Sequence, residues 1–242
     1  MALRNKKGAV SISVRLSDLF KYYKHGLPHQ DAAVKMLEEK LMAAYPDLMH
    51  KDQEWFKVWS QAGKQTINEK LVLNVPYESQ RDNKSGAGFR ECFSSSAAMV
   101  AKFYGKVSGD DEYNSIRARF GDSTDSAAQI QALRFLGLHA EFKQALNVGS
   151  LEKETSEGRP VLVGWLHHGS YKAPSGGGHW SVAVGVDDTS IIHNDPYGMA
   201  DIVNGGYESA QGGKYIHYSK QYWLPRWLVE GPNSGWGVLI SE

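Results

Sequence analysis

At 242 residues, with 41% hydrophobic and 22% charged side chains, seven tryptophans and twelve tyrosines, the chain can bury a core, and its composition excludes a disordered or fibrous protein. Its 27 basic side chains balance 27 acidic ones, which excludes a global field that would draw it onto nucleic acid or an anionic membrane surface. The single cysteine excludes an intramolecular disulfide and a cysteine-rich zinc framework, so Cys92 is either an inert buried thiol or a reagent.

The opening MALRNKKGAVSISVRL is basic, but no apolar run of about 7 to 15 residues follows it, so no secretory signal is expected. No stretch approaches the roughly 18 apolar residues that a membrane span requires. The expectation is a monomer made and folded in a cytoplasm, acting on a cell wall only after release. From Leu16 to about Ala62 the pattern is helical in three short pieces: Ser17 caps SDLFKYY, Ala33, Met36, Leu37, Leu41 and Ala44 recur at helical steps before Pro46, and Asp52 caps DQEWFKVWSQAG. These define a small helical module over 1–65, either wall-binding or a structural brace.

The connector KQTINEK leads into a second domain, 66–242, which opens on LVLNVPY, read as a strand stopped by Pro76. Helices are expected over 92–104, 110–120 and 125–136. Strands are expected over 139–144, 160–166, 179–187, 190–195, 214–219 and 236–240. Helices gathered early and strands late predict an α+β domain with an antiparallel sheet.

In SGAGFRECFSSSAAMVAKFYGK a glycine-rich loop runs into Cys92, and the apolar face of Ala97, Ala98, Val100, Ala101 and Phe103 follows it. Cys92 therefore opens a helix, where unpaired N–H groups and the positive dipole end favour the nucleophilic thiolate. Ser94, Ser95 and Ser96 suit the first turn as caps. GGGHWSVAVGVDDTSIIHNDPYG places His179 at the mouth of a strand in which Val182, Val184 and Val186 alternate, turns at DDTS and returns as IIHND. A histidine there suits proton transfer to and from a thiol on another element. Its orienter is Asn194 or Asp195: a two-residue turn at 188–189 sets Asn194 opposite Ala183 on the face of His179, and a bulge reverses the choice. His167, His168, His179, His193 and Asp195 are zinc-ligand types, but their spacing matches no HExxH-type arrangement and adjacent histidines on a strand point to opposite faces, so neither metal nor cofactor is expected.

NVPYESQRDNKSGAGFRECFSSSAAMVAKFYG, GRPVLVGW, GGHWSVAVGVDD and HNDPYG, taken in that order over roughly 72–200, resemble the successive blocks of the double-glycine-leader peptidase-like family of papain-like cysteine peptidases. The resemblance implies a papain-like fold in which Cys92 is the nucleophile, His179 the base, Asp195 rather than Asn194 its orienter, and Gln80 an oxyanion donor. Two departures stand out: Phe93 follows the cysteine where many members carry glycine, and twelve positions separate Gln80 from Cys92. DLFKYYKHGLPHQDAAVKMLEEKL resembles a short helical segment that accompanies cell-wall lytic domains. The expected function is a cysteine peptidase, an endolysin-like peptidoglycan endopeptidase with a peptide or peptidoglycan substrate. The alternatives are an N-acetylmuramoyl-L-alanine amidase, an intracellular processing protease and a noncatalytic binding module.

Overall fold

A computed structural model of the chain describes residues 72–242; the helical module expected over 1–65 lies outside the described residues. Three early helices form where the apolar spacing places them: α1 (Cys92–Phe103), α2 (Asp110–Arg117) and α3 (Ser126–Phe135). α3 starts on Asp125, whose carboxylate accepts from the Ala127 N–H, and α1 is followed by Gly105 in the left-handed region at φ 70°.

The later strands are β1 (His139–Leu146), β2 (Val161–Trp165), β3 (His179–Val186), β4 (Ser190–Asn194), β5 (Met199–Ala200), β6 (Tyr207–Ser209), β7 (Ile216–Ser219) and β8 (Gly235–Ser241). Six of them form one antiparallel sheet in the order β1-β8-β2-β3-β4-β7, and β5 pairs with β6 in a separate ribbon. The domain is α+β with an antiparallel sheet, as the pattern predicts, and its Cys-bearing helix packed on a His-bearing sheet is the papain-like arrangement the resemblance implies.

Two helices escape the pattern. α4 (Val148–Ser156) begins with a capping box in which Asn147 and Ser150 satisfy each other's backbone, and α5 (Lys220–Trp227) holds Pro225 inside it. A proline in that position argues against a helix in sequence, because it removes one ladder donor. Burial of Trp223 and Trp227 supplies the compensation, at about 1.5–3 kcal/mol for each large apolar side chain.

The sheet is covered on both faces. Leu162, Val182, Ile192 and Val238 pack with Phe93, Ala97, Tyr113 and Leu133 of α1 to α3, while Val163, Ala183, Ile191 and Tyr218 pack with Leu151 of α4 and Trp223 of α5. Val186 breaks the expected alternation. Val182 and Val184 face the early helices, whereas Val186 lies in the opposite cluster. The cause is a bulge: β3 and β4 start in the idealised register with Val186 opposite Ile191, then slip at Val184, so that Asn194 faces Val182 and not Ala183.

LVLNVPY does not form the expected strand. Residues 72–79 run as an extended strap outside any ladder, since Pro76 has no N–H to give. Its polar groups pair singly instead. Leu73 N–H donates to the Val184 carbonyl at 2.8 Å, and the Val75 carbonyl accepts from Asn194 Nδ2 at 3.0 Å. The bulged residue is thus the one whose carbonyl receives the strap.

Candidate active site

α1 begins on Cys92 itself, so the half-buried thiol lies against the unpaired N–H groups of the first turn. Burial pushes the thiol up, but a hydrogen bond from His179, the charge on that ring and the backbone N–H of Trp180 outweigh it, and the net pKa lies below the ordinary cysteine value. The opposite shift occurs on the partner. Burial lowers the pKa of His179, yet the Asp195 charge and bond, together with the thiolate of Cys92, raise it to about 10. The two shifts are opposite in sign, one down on the thiol and one up on the ring, and both favour a thiolate beside an imidazolium.

His179 is buried at the first position of β3, and its Nε2 bonds Asp195 Oδ1 at 2.8 Å, leaving Nδ1 to the thiol. Asp195 follows β4. Because the bulge sets Asn194 opposite Val182, the next residue falls in line with Ser181, on the face that carries His179. The fully buried carboxylate accepts three bonds: Oδ1 also accepts from Tyr197 N–H at 3.0 Å, and Oδ2 accepts from the Tyr218 hydroxyl at 2.9 Å. Asn194 points the other way, with Nδ2 on Val75 O and Oδ1 accepting from Tyr215 N–H at 2.9 Å. The structure therefore brings Cys92, His179 and Asp195 into one line and leaves Asn194 out of it.

Gln80 is buried in a single turn, Gln80–Asp82, packed against α1. Its Nε2 donates to the Gly88 carbonyl at 2.6 Å, and its backbone N–H bonds the Pro196 carbonyl at 3.0 Å, next to Asp195. Gly88 is required by space: a Cβ there would stand 2.0 Å from the Gln80 carbonyl oxygen. The long insertion before Cys92 is folded down by Glu91, which accepts from Asn83 Nδ2 and Ser85 Oγ, both at 2.7 Å.

The three serines after Cys92 do not cap the helix. Ser94 Oγ accepts from Gln129 Nε2, Ser95 Oγ bonds the Asp110 carboxylate, and Ser96 Oγ donates to the Trp180 carbonyl, so their hydroxyls join α1 to its neighbours. Trp165, His167 and Tyr207 stand around His179 at ring distances of 5.3, 5.6 and 5.6 Å. Burial and the positive charge of His179 hold His167 down at about 4, so it is neutral at pH 7. Burial lowers His193 to about 3, and it bonds Ser181 Oγ at 2.9 Å behind the site. Among the described residues no three His, Cys, Asp or Glu side chains converge as metal ligands.

Sequence reasoning missed Tyr218, Tyr77 and Trp165. Tyr218 reaches Asp195 because β7 pairs with β4, opposite Ile191, and the Tyr77 hydroxyl reaches the Asp195 carbonyl at 2.9 Å from 118 residues away. Neither partnership leaves a local signal.

Among the described residues no helix is long and apolar enough to cross a membrane. No curated protein is significantly similar to the chain. Among solved structures, a C39-like peptidase from Bacillus anthracis is 17% identical, covering 72% of this chain and 98% of that one at a TM-score of 0.50. The peptidase domain of Streptococcus ComA, a bi-functional ABC transporter, is 18% identical over 71% of this chain and 97% of its own, at 0.43. A double glycine motif protease from an AMS/PCAT transporter, in complex with the leader peptide, is 16% identical over 70% and 92%, at 0.41. The profile of the Peptidase_C39 like family matches residues 72–225, more than half of the chain, and the chain thus belongs to that family and is a cysteine peptidase.

Proposed function

We propose that Cys92, His179 and Asp195 act as nucleophile, acid–base and orienter, with Gln80 as oxyanion donor, and that the peptide hydrolysed belongs to peptidoglycan. The observation that carries the chemistry is the buried His179–Asp195 bond with the remaining ring nitrogen turned to a thiol of lowered pKa. The Cys92 thiolate attacks the scissile carbonyl carbon, forming a C–S bond while the carbonyl π pair moves onto oxygen. One N–H of the Gln80 amide is bonded to Gly88, and the other is free for that oxyanion. Collapse breaks the C–N bond, and the His179 imidazolium gives its proton to the departing amine. The imidazole, now neutral, takes a proton from water, whose oxygen attacks the thioester; the carboxylic acid leaves and the thiolate–imidazolium pair is restored.

The choice of peptidoglycan rests on the resemblance of residues 18–41 to segments that accompany cell-wall lytic domains. Digestion of purified sacculi tests it. New amino termini on stem peptides are expected; freed lactyl groups on muramic acid would make the enzyme an amidase, and no release at all would remove the wall as substrate. The chemistry is tested separately with iodoacetamide at pH 6, where an ordinary thiol of pKa near 8.5 is almost wholly protonated. Cys92 should alkylate much faster than free cysteine, His179→Ala should abolish most of that advantage, and Cys92→Ala should hydrolyse nothing while melting normally. Alkylation that needs denaturant would leave Cys92 an inert core thiol.

A further inference from the structure

Cys92 and His179 sit on different elements, α1 and β3, and a displacement of about 1 Å between such groups can cost as much as 10²-fold in rate. The residue that follows each of them makes a contact with its counterpart. The Phe93 ring lies on the Trp180 indole with centroids 3.7 Å apart and planes 6° from parallel. A further bond from α1 ends on the same tryptophan: Ser96 Oγ donates to its carbonyl at 3.0 Å. On the sheet side the indole rests against bare backbone at Gly164, where a Cβ would fall 2.9–3.1 Å from three of its ring carbons. Gly164 is the direct cross-strand partner of Trp180, and Phe142 borders the indole at 6.2 Å.

The arrangement differs from ordinary packing in what it restrains. A leucine fills a core as well as a phenylalanine does, but only two flat rings at stacking distance resist both rotation of α1 about its axis and its sliding along β3. Ring and hydroxyl contacts one turn apart on α1 both meet one residue of β3, so that residue sets the depth, rotation and axial position of the helix end against the base. From this geometry we infer that Trp180, seated on Gly164 and stacked by Phe93, is a positioning residue that sets the Cys92 sulfur against His179. The inference rests on the proposed roles of Cys92 and His179.

The test uses the full chain and two probes: iodoacetamide alkylation of Cys92 as a function of pH, and acylation by p-nitrophenyl acetate, each with a thermal melt. In Trp180→Leu and in Phe93→Leu the midpoint of the thiolate titration should rise by about one unit and acylation should fall about tenfold, as expected when the imidazolium no longer reaches the sulfur. Trp180→Phe keeps a ring to stack and should recover most of both. Gly164→Ala should shift the titration in the same direction, because its methyl group unseats the indole without touching α1, and it carries the comparison should a leucine variant fail to fold. The double variant Phe93→Leu/Trp180→Leu should be no worse than either single one, since both remove the same contact. If these variants melt lower but titrate and acylate as the unsubstituted chain does, the stack is core filling and the inference fails, while the Cys92–His179 pair stands. If Cys92 of the unsubstituted chain already titrates as an ordinary thiol, the pair itself fails and the inference with it.

Discussion

Asp195 and Asn194 are adjacent, both fully buried and both hydrogen-bonded, yet they do opposite things: one carboxylate holds a ring and one amide holds the strap. Asp195→Asn should keep His179 placed while removing the charge that most strongly raises its pKa. Turnover should drop by about 10²-fold or more, by analogy with triad aspartates. The pH profile should move as well. With Asp195 present, the thiolate exists above the lowered pKa of Cys92 and the imidazolium persists up to about 10, so activity should hold through neutrality and fall on the alkaline side near 10. In Asp195→Asn the alkaline limb should move to lower pH; an unmoved limb would mean that the charge of Asp195 does not govern His179. Asn194→Ala should leave turnover per folded molecule intact and lower stability by about 1–3 kcal/mol, the cost of unpaired buried groups, because it strips a partner from Tyr215 N–H. Equal losses of turnover in the two variants would reverse that division of labour.

At the scale of elements, the loop before Cys92 and the β3–β4 hairpin carry the site. The turn Gln80–Asp82 is pinned from below by Gly88, so Gly88→Ala must push the Gln80 backbone away by its 2.0 Å conflict. Hydrolysis should fall in kcat by roughly 10²-fold, the size of a lost oxyanion donor, while Cys92 alkylation, which forms no oxyanion, should stay normal. A parallel fall in alkylation would show that the loop supports the thiol and not the carbonyl oxygen. The hairpin marks where reading a sequence stops. That Cys92 opens a helix was legible from the glycine-rich run and the apolar face behind it, and His179 at a strand mouth was legible from the valines that follow. The parity of Asn194 and Asp195 was not, because it depends on one extra residue at Val184 whose carbonyl is claimed by Leu73. Resemblance chose Asp195 where periodicity alone left both open. α5 stayed hidden for a related reason: its proline is tolerated by tertiary burial, which no local window contains.

Stability of the whole domain should depend on one carboxyl away from the chemistry. Asp110, at the start of α2, is pushed up to about 6 by burial first and by the Glu78 charge next, against the pull of the Ser95 hydroxyl. A folded pKa raised above the unfolded value favours the protonated form, so the stability it confers is complete below about pH 4 and lost as the pH rises through about 6. Asp110→Asn should therefore raise Tm at pH 7.5 by about 2–4 °C, the shift that ~1 kcal/mol produces in a domain of this size, and give no gain at pH 4. Equal effects at both pH values would show that charge is not the cause.

The strap over residues 72–79 also bears on time. Its partners lie up to 141 positions later in the chain, and at about 5–20 residues per second a ribosome needs roughly 7–28 s to reach them. For much of that interval Cys92 exists without His179, and the strap waits for Asn194 and Tyr215. β8, which joins β1 to β2 inside the sheet, is made later than every other strand described. A chain still being made thus has no His179 beside Cys92, and the sheet that holds His179 is closed between β1 and β2 only by a strand made after all the others described.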